Sequence, residues 1–240
     1  MTLNLTWVGR DCIVQASDRR FTWITPSGAV EIVDDDANKA VILSCSDALL
    51  TVTFTGLGAL LPGTRVDEWL VEILQNQGAC ELEASDAVAI LAQSATDWFR
   101  SFRSSWSGEH TFAVAGWQQD LKTQQYRSRV WCVTNAESPA HSTFAVTPQP
   151  ASGCIVTGYL PAFTRPERRR IQAAARNAKC VDDIERSLVQ SHLCGGIKTK
   201  GDSSRQELYD RGGSSTENGN GAFPSGAWSA NVIRASRRVV

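Results

Sequence analysis

The stretch Leu3-Asn4-Leu5-Thr6-Trp7-Val8, followed by Gly9-Arg10-Asp11 and then Cys12-Ile13-Val14-Gln15-Ala16-Ser17, decides how this chain is read. Its first six residues alternate apolar and polar, the period-2 pattern of a half-buried strand. Gly9-Arg10-Asp11 has turn composition and the run after it is more continuously apolar, so the two segments predict a β-hairpin. Asp18-Arg19-Arg20 closes the second strand. An antiparallel hairpin folds that end back beside the start of the chain, which puts a charged cluster next to Met1 and Thr2.

Removal of Met1, expected before a residue this small, leaves Thr2 as the first residue. An N-terminal threonine carries a hydroxyl nucleophile and, in its own α-amine, a base of near-neutral pKa. A lysine that favours the alkoxide and a carboxylate that holds the lysine would complete a site. Asp18 is the candidate carboxylate. Lys39, after Asn38 and before the strand-like Ala40-Val41-Ile42-Leu43, is the candidate lysine. The competing reading is a structural ion-pair cluster of Asp18, Arg19, Arg20 and Lys39 at a strand end.

The whole chain sets the limits of this reading. Its 240 residues are ample for a sizeable core, and 24 basic against 25 acidic side chains give a net charge of -1. No nucleic-acid partner follows from that balance. No apolar run approaches membrane-spanning length, and the start lacks a basic segment followed by an apolar one, so a cytoplasmic protein with no membrane partner is expected. The seven cysteines (Cys12, Cys45, Cys80, Cys132, Cys154, Cys180 and Cys194) form no C-x-x-C pair, and the set, mostly inside apolar strands (Cys12, Cys45, Cys132, Cys154), reads as reduced core cysteine. His110, His141 and His192 share no ligand spacing, so neither metal nor cofactor is expected.

Taken in order, Arg20–Ile24 and Ala29–Val33 predict a second hairpin, with Asp34-Asp35-Asp36 as a solvated turn. Ala40–Cys45 and Leu49–Thr55 predict two more strands. Thr64 is expected to cap a helix with Val66, Trp69, Leu70, Ile73 and Leu74 on one face, ending near Gly78; Ser85 is expected to cap a second, with Val88, Leu91, Ala95, Trp98, Phe99 and Phe102 inward. The aromatic residues of these helices read as core, not as a ligand-stacking box. His110–Trp117 and Arg127–Thr134 predict strands joined by a polar link, Gln118 to Gln125. Ser142–Val146 and Gly153–Thr157 continue them, and helices are expected from Thr164 to Ala178 and from about Asp182 to near Gly195-Gly196. The resulting division is a domain over 1–197, a flexible Gly/Ser-rich segment over 198–225, and a final edge strand with a basic tail over 226–240. Strands and helices in this order predict an α+β fold with antiparallel sheets.

Thr2, the hairpin, Ala16-Ser17-Asp18-Arg19-Arg20, the Asn38-Lys39 step and Phe54-Thr55-Gly56 together resemble the N-terminal half of proteasome β-type subunits and their bacterial relatives, which are N-terminal-nucleophile (Ntn) hydrolases. The resemblance covers most of residues 2–117. It implies a four-layer αββα sandwich, two stacked antiparallel sheets between helical layers, with the strands from His110 opening the second sheet. It also implies a backbone oxyanion donor near Gly56, and a pocket for the substrate side chain shaped by Thr22 and Phe54. Family members enclose their nucleophiles in homo-oligomeric rings, and here the first two helices would supply contacts between rings. An ATPase partner is left open.

The function implied is a proteasome-like threonine peptidase acting on peptides or unfolded protein. In the second half the resemblance departs: where the family carries a Gly-Ser-Gly turn, this chain reads Val156-Thr157-Gly158-Tyr159. Two alternatives therefore stand beside the peptidase. One is an inactive structural or binding subunit, the other an Ntn amidase acting on a small amide.

Overall fold

The computed structural model describes residues 3–9, 12–18, 21–24, 30–34, 37–56, 58, 65–101, 108–158, 230–236 and the single positions 169, 173 and 183. Strands β1 (Leu3–Val8) and β2 (Cys12–Asp18) pair antiparallel with Asn4 opposite Ser17, the hairpin that alternation and turn composition predict. β3 (Phe21–Ile24) and β4 (Val30–Asp34) form a separate two-stranded ribbon. β5 (Ala40–Ser44) and β6 (Ala48–Thr55) follow, then helices α1 (Val66–Asn76) and α2 (Ala84–Ser101). The chain continues through β7 (Thr111–Asp120), β8 (Gln125–Thr134), β9 (Ala145–Pro148) and β10 (Gly153–Gly158), and β11 (Ala230–Ser236) is an edge strand on β2.

Two antiparallel sheets carry the fold, one ordered β10-β1-β2-β11 and one β5-β6-β7-β8-β9. This corrects the expected grouping. The strands from Thr111 do not open a second sheet but extend the one β5 and β6 begin, with Leu50 opposite Gly116 and Val52 opposite Val114. β10 leaves that sheet altogether and pairs with β1. Local hairpin signals specify which strands are adjacent, whereas membership of a sheet depends on contacts distant in sequence.

Half of the link expected at 118–125 is strand as well. β7 and β8 stay paired as far as Asp120 opposite Gln125, and only Leu121–Gln124 turns. The Asp120 carboxylate accepts the backbone N–H groups of Lys122 (3.0 Å) and Thr123 (3.1 Å), which closes the turn from within.

Helix starts differ by one residue from expectation, for reasons remote in sequence. α1 begins after Arg65, not Thr64: the Arg65 guanidinium grips Asp67 (3.0 Å) and reaches Asp34 at the end of β4 (3.1 Å), and its N–H donates to Glu68 (3.4 Å). Asp34 is thus ion-paired and not simply solvated. α2 begins at Ala84, ahead of Ser85, because the Asp47 carboxylate in the β5–β6 turn accepts the Ala84 N–H at 2.8 Å.

Strand β6 explains the layering. Leu50, Val52 and Phe54 face the helices and join Val66, Trp69, Leu70, Val88, Leu91 and Phe99 in one core, where Trp69 stacks on Trp98 at 4.1 Å. Each such side chain contributes roughly 1.5–3 kcal/mol relative to exposure. Thr51 and Thr53, on the alternate face, look toward the other sheet. There Val8, Ile13, Ala115, Trp117 and Val130 make an apolar patch at one end, and Gln15 makes a polar node beside it.

Gln15 is 1 % exposed. Its amide nitrogen lies within hydrogen-bond distance of Thr6 Oγ1 (3.0 Å), Ala113 O (3.2 Å) and Thr53 Oγ1 (3.4 Å), and its oxygen accepts from the Thr51 hydroxyl. Two amide hydrogens are shared among three acceptors, so the node is fully engaged. It joins β1, β2, β6 and β7 through one side chain.

Among the described residues the layers are helices, five-stranded sheet and four-stranded sheet; the expected helices between 164 and 195 lie outside them except at 169, 173 and 183, which are helical. Replacing Gln15 with leucine should destabilise the fold by about 2 kcal/mol, because buried polar groups on both sheets lose their partner. Urea denaturation measures this, and a neutral Gln15→Leu would mean the node does not hold the sheets together.

Candidate functional site

The candidate residues gather, as far as they are described, at one end of the sandwich. Asn4 opposite Ser17 sets the end of β2 beside the start of β1. Thr2 and the side chains of Asp18 and Thr22 lie outside the described residues; the Thr22 backbone is in β3, opposite Ile32. Across the sheets, Gln15 reaches Thr53, and Thr53 pairs with Ala40. Further along come the end of β2, three residues past Gln15, and Lys39, immediately ahead of β5.

Lys39 is fully buried, with 0 % of its surface exposed. An ammonium in that position must be paired and hydrogen-bonded to remain charged. Asn38 holds the approach to β5 by accepting the Ala40 N–H through Oδ1 at 3.3 Å.

Gly56 ends β6 with φ +103°. A Cβ there would stand 2.6 Å from the Glu109 carbonyl oxygen and 2.9 Å from His110 Nδ1, so both conformation and space require glycine. Phe54, two residues earlier, is 1 % exposed and lies on the helix side of the sheet, where its ring stacks with His110 at 6.2 Å and meets Phe112 at 6.4 Å. The ring that the resemblance assigns to the substrate pocket is thus enclosed in the aromatic core beneath that end.

β10 arrives at the same end. Thr157 is opposite Asn4, and Gly158 opposite Leu3. Asn4 is 1 % exposed, and among the described residues neither its amide oxygen nor its amide nitrogen has a hydrogen-bond partner; nor has Thr157 Oγ1. Buried polar groups left with unused capacity are uncommon outside functional or strained places.

Sequence reading missed the roles of Gln15, Asp47 and His110. Gln15 occupies an inward position of an otherwise apolar strand, and that break in pattern was its signal. Asp47 looked like turn composition. His110 packs among Phe99, Phe112 and Phe144, and burial pushes its imidazole down to about 3. Burial likewise raises the thiols of Cys45 and Cys132 to about 11 and that of Cys154 to about 12, which leaves them inert as nucleophiles.

Among the described residues no group of three or more His, Cys, Asp or Glu side chains is placed to hold a metal ion. No described helix is long and apolar enough to cross a membrane.

No family model matches the chain, and no curated protein matches it. Among solved structures it is similar to a Gly-1 mutant of Anbu from Hyphomicrobium sp. strain MC1, with TM-score 0.52 and 11% identity over 81% of this chain and 74% of that one. Anbu, described as an ancestral β-subunit, from Yersinia bercovieri gives TM-score 0.49 and 12% identity over 80% and 74%. Another Anbu structure from the Hyphomicrobium strain gives 0.47 and 13% over 81% and 74%. The relationship is proteasome-like in fold, and α+β. It corrects the resemblance drawn from the sequence: at 11% identity and with no family match, the likeness is one of fold and does not make this chain a proteasome β-type subunit or a member of the Ntn hydrolases.

The His110 environment carries a pH signature. Folded, the imidazole stays neutral to about pH 3; unfolded, it takes a proton near 6.5. Between those values the unfolded chain binds more protons, so stability falls as pH drops through that window and is flat above it. Denaturation at pH 7 and pH 5 should differ by about 2 kcal/mol from this group, and His110→Phe should remove that part of the slope.

Proposed function

We propose that the chain is a proteasome-like threonine peptidase whose nucleophile is Thr2, exposed when Met1 is removed. The reading rests above all on Lys39, a fully buried lysine at the end of the sandwich where β1 begins. In the proposed reaction the Thr2 α-amine takes the hydroxyl proton as Thr2 Oγ1 attacks the scissile carbonyl. Lys39 favours the developing alkoxide, Asp18 holds Lys39, and backbone N–H at Gly56 receives the oxyanion. The tetrahedral intermediate collapses as the leaving amine departs with the proton first taken by the base, and water, deprotonated by the same α-amine, then hydrolyses the resulting acyl-enzyme ester and returns the free threonine. The conformation of Gly56 supports its part, since a backbone turn that only glycine fits holds its N–H in one direction.

Thr22 is proposed to line the substrate pocket, with Phe54 setting its depth from beneath through the aromatic cluster. Peptides or unfolded protein are the proposed substrates, in a homo-oligomeric ring. Leu5, Val14 and Ala16 are fully buried on the sheet face turned away from β6, which supports the fourth layer that the resemblance implies. An inactive scaffold is the second reading, and it is favoured by threonine at position 157 in place of the serine that the resemblance implies.

Thr2→Ser should retain hydrolysis of a fluorogenic peptide, and Thr2→Ala should lower kcat by 100-fold or more, on the order of losing a nucleophile, without shifting the denaturation midpoint. Hydrolysis by Thr2→Ala at the parent rate would leave the scaffold reading.

A further inference from the structure

At the opposite end of the five-stranded sheet, beyond the start of α2, two grooves of about 380 Å³ each open on either side of Arg129 and Gln118, which line both. Arg129 donates through Nε to Gln118 Oε1 at 2.9 Å, and Gln118 donates through Nε2 to Asp47 Oδ2 at 2.7 Å. Asp47 is 5 % exposed, and its other carboxylate oxygen is fixed by the first N–H of α2. Each member of this relay is oriented by a more deeply anchored one. Among the described residues the guanidinium is thereby held through a single N–H, which leaves its outer Nη groups available. Arg127, its neighbour on β8, instead has Asp120 at 3.6 Å.

The two grooves differ in charge. Asp47, Glu83 and Asp120 line the second together with cations, whereas in the first Arg129 is the one ionised side chain among the described lining residues, accompanied by Ser85, Gln149 and the ring of Trp131. We propose that the first groove binds a carboxylate carried on a compact, flat apolar body, with the Arg129 fork on the carboxylate and Trp131 against the body. A planar two-oxygen anion matches the guanidinium fork. The acidic side chains just behind Arg129 disfavour a doubly charged phosphate.

Calorimetric titration of the full chain with benzoate, against neutral benzamide, tests the site. Benzoate should bind saturably with a dissociation constant on the order of 1 mM or tighter, and benzamide roughly tenfold more weakly. Arg129→Gln should weaken benzoate about tenfold, while Arg127→Gln should stay within about twofold. Circular dichroism checks that both variants fold. A phenylalanine-terminated tripeptide, as free acid and as amide, separates the sources: tighter binding of its free acid than of benzoate assigns a peptide terminus, and the reverse assigns a free small acid, either ranking upholding the site. No saturable benzoate binding, equal binding of benzamide, or an unchanged Arg129→Gln overturns the proposal.

Discussion

The amide of Gln15 is the interaction on which the two-sheet arrangement depends. Sheets that meet through apolar faces alone can slide, because hydrophobic contact is non-directional. A buried amide hydrogen-bonded to Thr6, Thr51, Thr53 and Ala113 cannot slide without leaving several polar groups unpaired, at a cost of about 1–3 kcal/mol each. Gln15 therefore fixes the register of one sheet over the other. The apolar patch of Val8, Ile13 and Trp117 supplies attraction at its side, and the amide supplies position.

From that fixed point the two ends of the sandwich acquire different characters. Toward the start of β1 come Ser17, Asn4, Thr157, Lys39 and Gly56, buried polar or conformationally special residues on five separate strands or their edges. Toward the β7–β8 turn the relay from Asp47 through Gln118 to Arg129 does comparable work, since one buried carboxylate caps α2 and orients a surface arginine. At both ends the side chains with chemical capacity are positioned by residues further inside, which is the usual condition for a geometrically defined site.

The sequence made parts of this legible. Alternation in Leu3–Val8 and turn composition at Gly9-Arg10-Asp11 predict the hairpin because pattern and pairing are both local there. The helical stripe of Val88, Leu91, Ala95 and Phe99 was readable for the same reason. What failed was non-local. β10 joins β1 and not its sequence neighbour β9, α2 is capped by Asp47 from a turn far upstream, and a polar run at Gln118–Gln119 is strand because its partners on β8 and Asp47 meet its hydrogen-bonding needs. The family resemblance was drawn from Thr2, Asp18 and Lys39 in a matching framework; framework similarity survives as a likeness of fold to Anbu, while membership of the family does not.

The central claim is that Thr2 is a free and reactive N-terminus. Intact-mass spectrometry of the purified protein before and after incubation with a peptide epoxyketone tests it most directly, because that reagent joins to a hydroxyl and an amine on neighbouring carbons. The account predicts a chain beginning at Thr2 that gains the mass of one inhibitor per chain, and loses this capacity when its α-amine is acetylated. A chain that keeps Met1, or one that begins at Thr2 and gains no mass, would contradict it.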